Sequence, residues 1–385
     1  MKKFILLLSF VLVLLLALTS CGGPKYVDNV CSDTESGEAV SEPETEPETD
    51  TEPAETEPVI VIPENENPLT GLEASRNFST ERPVAIMLNN LWAALPQHGI
   101  SQCDILYECL VEGGITRLMA VTYDYENIGV LGSIRSSRHY YLDLAQNYDA
   151  IYVHAGGSDQ AYLEIKNRGI NNLDGVNMYV PDMLYRDQER LKTMSYEHTL
   201  MTTGEKIAAG IAYKKYRTEL KSELSGKYAF NFVEFGTSRQ PADGQATCLW
   251  LPYSKYQTAC FTYDASSNTY YRFQFEDVPH IDGATGKQID FTNILVLFCP
   301  AVAVGDSKGH LDITTENTAG EGYYVYGGKY EKITWSKPTE DSPTTYYGAD
   351  GSELKMNRGK TFISIFPNYN AEKIEFCHNF VSTED

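Results

Sequence analysis

The chain has 385 residues, 31 Lys+Arg against 53 Asp+Glu, a formal net charge of -22, and 42% hydrophobic residues including 27 Tyr. That apolar content excludes a wholly disordered chain and allows about two or three ordinary domains. The acidic balance excludes binding to nucleic acid through broad neutralisation of phosphates.

The first 20 residues read as an export signal. Lys2 and Lys3 precede the apolar run Phe4 to Leu18, which is short for a membrane span, and Thr19-Ser20 lead to Cys21. Leu18-Thr19-Ser20-Cys21 resembles the bacterial lipobox, in which the Cys carries lipid and becomes the mature first residue. Cys21 is therefore the expected lipidation site, and acyl chains there would hold the protein to the extracytoplasmic face of the cell membrane. Residues 21–66 follow as a spacer. Ser32 to Glu66 holds 13 acidic residues and no basic one, in Glu-Pro-Glu-Thr units with few large apolar side chains. Such a segment buries too little to offset its ordering entropy, and like charges with proline keep it extended.

From residue 67 to 235 the pattern is that of an α+β or α/β domain. Val84 to Leu88, Ile105 to Val111, Leu118 to Tyr123 and Ala150 to His154 read as strands. Apolar residues at three- and four-residue spacing predict helices after Ser136-Ser137, from Gly156 to about Arg168, and from Thr202 to about Leu220. From residue 236 to 385 short alternating runs punctuated by Gly, Tyr and Thr predict a β-rich domain, a sandwich or a partly open barrel. Gly327-Gly328 and Asp350-Gly351 are tight-turn dipeptides between such runs. If Cys21 is lipidated, the odd number of Cys left requires at least one free thiol, and Cys248 and Cys260 flank one strand–turn stretch and could pair. No GxSxG, HExxH, Walker loop or GxGxxG is present, and the His residues lack ligand spacing, so neither a metal nor a cofactor is expected.

Polar residues able to carry a function concentrate in the N-terminal domain. Arg135 and Arg138 stand at a predicted helix start, where free backbone N–H groups favour an anion and guanidiniums add bidentate capacity. The competing reading pairs them internally with Glu108, Glu112 or Asp143. His154 follows a strand and precedes Gly156-Gly157-Ser158, a loop position where ligands meet α/β domains. Ser158 can cap the next helix. Two carboxylates are the minimum for glycoside hydrolysis, so Glu108 and Glu112 form an alternative catalytic pair, with Asp187 or Glu197 as possible completions.

Asn67-Pro-Leu-Thr-Gly-Leu72, Arg82-Pro-Val-Ala-Ile-Met-Leu-Asn-Asn90, Glu112-Gly-Gly-Ile-Thr-Arg117, Gly132-Ser-Ile-Arg-Ser-Ser-Arg138 and Tyr148-Asp-Ala-Ile-Tyr-Val-His-Ala-Gly-Gly-Ser158 together resemble the YerB-like family of bacterial lipoproteins. Gly351 to Pro367 is similar to that family's second domain. The resemblance implies a lipid-anchored extracytoplasmic protein of two adjacent domains, typical of Gram-positive bacteria, and carries no catalytic residue across. The expected role is binding of a polar or anionic envelope ligand, such as a wall glycan, or of a partner protein. Asn89, Arg117, Arg135, Arg138, His154 and Ser158 are the candidate ligand residues. A structural adaptor with an inert polar cluster, and a wall hydrolase using Glu108 or Glu112, are the competing readings.

Overall fold

The computed structural model describes residues 62–377. The leader, Cys21 and the spacer up to residue 61 lie outside the described residues. The last spacer residues are seated on the body: Glu66 accepts from the Tyr228 hydroxyl at 3.0 Å and pairs with Arg358.

The N-terminal part supplies strands β1 (Val84–Asn89), β2 (Ile105–Leu110), β3 (Thr116–Thr122), β4 (Val130–Gly132), β5 (Ile151–His154), β6 (Asn172–Asp174), β7 (Tyr185–Arg186) and β8 (Leu200–Thr203). Its helices are α1 (His139–Gln146), α2 (Asp159–Asn167) and α3 (Gly204–Lys214). Every residue of β1, β2 and β3 is buried. Their near-continuous apolar runs are those of strands covered on both faces. β3 lies antiparallel to both β1 and β2, whereas β1, β5 and β6 run parallel and end at a common edge. α3 stops at Lys214, short of the expected Leu220, because Lys215 turns left-handed (φ 54°) and its N–H caps the carbonyls of Ile211 and Ala212.

The sheet continues into the C-terminal part. β2 pairs in parallel with Thr361–Pro367, which pairs in parallel with Asn293–Cys299. Antiparallel strands Thr318–Tyr326, Lys329–Lys337 and Thr345–Tyr347, with the short Gly244–Gln245 paired to Lys329–Lys337, complete a central sheet of eleven strands. Gly327-Gly328 makes the expected tight turn, both residues at positive φ. A second sheet of six strands, centred on Cys248–Ser254, Gln257–Asp264 and Thr269–Gln274, stacks on one face of the shared sheet as a sandwich. Phe261 meets Phe362 at 4.8 Å between ring centroids, and the Tyr253 hydroxyl bonds Ser364 at 2.6 Å. The opposite face carries α1, whose Tyr141 hydroxyl donates to the Arg117 carbonyl at 2.6 Å.

The disulfide joins Cys248 to Cys377 instead of Cys260. Cys248 stands directly opposite Cys377 with Cα atoms 5.1 Å apart, whereas Cys260 faces Trp250 and Phe273 across its ladders. Cys260 is a buried free thiol, as are Cys103, Cys109 and Cys299.

Candidate functional site

Where β1 and β5 end, the segment after β4 is laced between them. Arg135 N–H donates to Met87 O at 3.0 Å, and Arg135 O accepts from Ala155 N at 3.0 Å. Ile134 N–H donates to Leu200 O and Ser137 N–H to Gly156 O. This fixes the Arg135 backbone at the carboxyl edge of the parallel strands, the side on which open α/β sheets receive ligands. Its side chain enters a cleft of about 380 Å³. Gly156 and Gly157, Tyr162 of α2, Arg186 of β7, and Tyr196 and Glu197 from the turn before β8 line the rest. Gly156 has φ +79°, a conformation that disfavours any side chain there.

Two guanidiniums share this cleft. Arg186 stacks on the Tyr196 ring at 3.7 Å and donates to the Tyr196 carbonyl at 2.6 Å. Arg135 Nη1 lies 3.2 Å from Glu197 Oε2, and that side chain is 53% exposed. Glu197 is the one carboxylate among the lining residues, so the cleft keeps a surplus positive charge. Asp174, at the end of β6, sits behind it and accepts from Gly156 N, Val176 N and the Tyr162 hydroxyl. Burial would raise the Asp174 carboxyl, but His154 and these hydrogen bonds outweigh burial and hold it below the usual range.

The other predicted residues are engaged elsewhere. Arg138 donates from Nε to Glu112 at 2.9 Å and Arg117 from Nη2 to the same carboxylate at 3.0 Å. Their remaining donors hold the carbonyls of Ser137 and Ser136. Internal pairing thus describes Arg138 and Arg117 and leaves Arg135 facing the cleft. Burial alone would raise the Glu112 carboxyl; Arg117 and Arg138 more than reverse this and hold it down at about 2. His154 is fully buried behind the cleft floor, with Nδ1 2.8 Å from Gly156 O and Nε2 3.2 Å from Asn172 Oδ1. Asn89 is buried against His198 Nδ1 at 2.9 Å and accepts from Leu91 N. Asp187 accepts from Glu189 N and Arg190 N.

Ser158 caps α2, its Oγ accepting from Ala161 N at 3.2 Å. Ser158→Ala is expected to cost about 1 kcal/mol and lower the melting temperature by roughly 1–2 °C. A calorimetric scan of the variant checks this.

Glu108 lies inside the sandwich. It accepts from Asn90 at 3.0 Å, Thr116 at 2.6 Å and Arg272 of the second sheet at 2.6 Å, and neither Glu108 nor Arg272 has any exposed side-chain surface. Arg272 also meets His280, whose Nε2 lies 2.8 Å from Gln97 Oε1. Gln97 in turn donates to Asn89 O, so a buried polar thread joins the second sheet to the end of β1. Glu108 thus has no surface for a substrate, and Glu112 is too firmly ionised to donate a proton near neutral pH. Arg186 and Tyr196 were not legible as site residues. Their sequence neighbours Asp187 and Glu197 stand out as carboxylates, but neither Arg186 nor Tyr196 lies in a motif.

Residues 69–217 match the family described as "Protein of unknown function (DUF3048) N-terminal domain" and residues 249–363 its "C-terminal domain". The chain is 28% identical over 310 residues to "Putative lipoprotein YerB" of Bacillus subtilis (strain 168), covering 80% of this chain and 88% of that protein. The crystal structure of YerB protein from Bacillus subtilis matches with a TM-score of 0.69 at 24% identity, covering 81% of this chain and 99% of that one.

Proposed function

The chain belongs to the YerB-like family, built of DUF3048 N- and C-terminal domains, and from that premise we propose a membrane-tethered lipoprotein that binds an anionic envelope ligand without transforming it. Lipid on Cys21 is the tether, residues 21–66 are the spacer, and the body stands on the extracytoplasmic face. The observation that carries the binding role is the convergence of Arg135 and Arg186 in one open cleft, against a single exposed carboxylate, in a chain of net charge -22. A phosphate or carboxylate entering there displaces Glu197 and takes two guanidiniums, one of them already ordered on Tyr196. The supporting frame is polar and fixed: Arg117 and Arg138 hold Ser136 and Ser137, and His154 with Asp174 hold the glycine turn.

Two measurements test this reading. Adding purified anionic wall polymer is expected to raise the melting temperature of the wild type, with the shift shrinking at high salt. The Arg135→Gln/Arg186→Gln variant should fold and show no shift. Equal shifts in both proteins, or none in either, would remove the cleft as the site. Labelling cells with a tagged fatty acid is expected to mark the wild type and leave Cys21→Ala unmarked. Label on both would place the lipid elsewhere.

A further inference from the structure

A cavity larger than the arginine cleft lies at the opposite ends of the central strands, away from it. β3 runs from Thr116 near the cleft's edge to Thr122, and Tyr123, which follows it, lines this second site. The volume is about 530 Å³, within the roughly 300–1,000 Å³ common for small-molecule sites. Both parts of the fold build it: the end of α1 (Gln146 to Tyr148), the 220–229 segment, and Asp341 to Tyr346.

Four tyrosines line it, Tyr123, Tyr148, Tyr228 and Tyr346, together with Leu69, Leu220, Leu224, Pro68 and Pro343. The rings are held by neighbours in advance of any ligand. Tyr123 stacks on Phe78 at 5.4 Å, the Tyr148 hydroxyl bonds Tyr107 at 2.5 Å, and the Tyr228 hydroxyl donates to Glu66. Tyr346 packs on Phe230 at 6.0 Å. The charged lining residues balance, Lys221 and Lys227 against Glu223 and Asp341, and Lys221 Nζ already lies 3.9 Å from Asp341. The cavity therefore has no charge to select an ion, in contrast to the cleft.

One polar group there is left over. Asn147 Oδ1 is filled by Lys337 Nζ at 2.9 Å and Thr344 N at 3.2 Å. The Nε2 of Gln146, by contrast, is enclosed and meets no acceptor. A buried donor without a partner carries a real cost. The soft terminal torsion of glutamine lets the amide turn into the cavity, where a carbonyl on a ligand would satisfy it.

We propose that this cavity is a second binding site, for an uncharged sugar ring bearing an acetamido group. Tyr228, the exposed ring, offers a flat apolar face to the C–H side of a sugar, with the more deeply buried tyrosines as the wall behind it; the balanced rim imposes no charge, and Gln146 supplies a donor for the amide carbonyl. The site is independent of the anionic cleft, and salt separates the two.

The test is calorimetric titration of the full chain with tri-N-acetylchitotriose, and with maltotriose as the ring without acetamido groups. Chitotriose is expected to bind, with an affinity unchanged between roughly 0.05 and 0.5 M salt, and maltotriose to bind at least several-fold more weakly. Tyr228 is 48% exposed, so Tyr228→Ala should fold normally and weaken binding roughly three- to tenfold. Gln146→Leu should weaken chitotriose and leave maltotriose unchanged, and Arg135→Gln should alter neither. Absence of chitotriose binding up to about 10 mM, equal binding of the two sugars, or wild-type affinity in Tyr228→Ala overturns the proposal.

Discussion

Glu108→Ala is expected to destabilise the protein by about 3–5 kcal/mol, seen as a lower midpoint in urea with an unchanged slope. The reason is the company the carboxylate keeps. Arg272 is buried without any exposed surface, and removing Glu108 leaves its charge uncompensated inside the sandwich. Asn90 and Thr116 lose an acceptor in the same step. The double variant Glu108→Leu/Arg272→Met should recover part of the loss, because an apolar pair of similar volume removes both charges together. Recovery stays incomplete while His280 and Gln97 remain as buried polar partners. A single variant within about 0.5 kcal/mol of wild type would show that the pair does not lock the two sheets together.

Glu112→Gln is expected to change how stability responds to acid. The folded carboxyl titrates at about 2, held down by Arg117 and Arg138, below the ordinary value near 4.3. A depressed carboxylate contributes stability that is present above the unfolded value and lost as pH falls through the interval towards the folded one. The side chain is 24% exposed, so solvent screening trims the contribution to about 1–3 kcal/mol. Wild type should therefore lose that amount between roughly pH 5 and pH 2. The variant should be less stable at pH 7, with Arg117 and Arg138 short of their carboxylate, and should show a shallower acid limb. Denaturation midpoints measured at half-unit steps of pH decide it. Superimposable limbs in the two proteins would mean that Glu112 is not the carboxylate that senses acid.

The strands of the N-terminal part were legible because their apolar runs have one physical cause. Val84–Asn89 and Ile105–Leu110 are buried on both faces and carry little alternation, whereas Thr269–Gln274 alternates because one face meets less cover. Thr361–Pro367 is also wholly buried, which marks a central strand. Nothing local says that its neighbour is β2, from the other end of the chain, so the shared sheet was not legible. The same limit applies to the site. Arg135 and Arg138 are the same residue type three positions apart, and one reaches the cleft while the other meets Glu112. The difference lies in backbone hydrogen bonds to Met87 and Ala155, contacts that only tertiary pairing creates. Arg186 joins them on a two-residue strand too short to announce itself. His154 and Ser158 flank the glycine turn, His154 buried against the Gly156 carbonyl and Ser158 capping α2.

The parallel pairing of Ile105–Leu110 with Thr361–Pro367 sets the timing of folding. The middle of the sheet cannot close until nearly the last residues emerge, so β2 waits with an open backbone edge while more than half of the polypeptide is still to arrive. The chain therefore passes through an unfinished intermediate with an open strand edge, and the yield of folded protein should depend on how well nascent strands are shielded rather than on the stability of the finished protein.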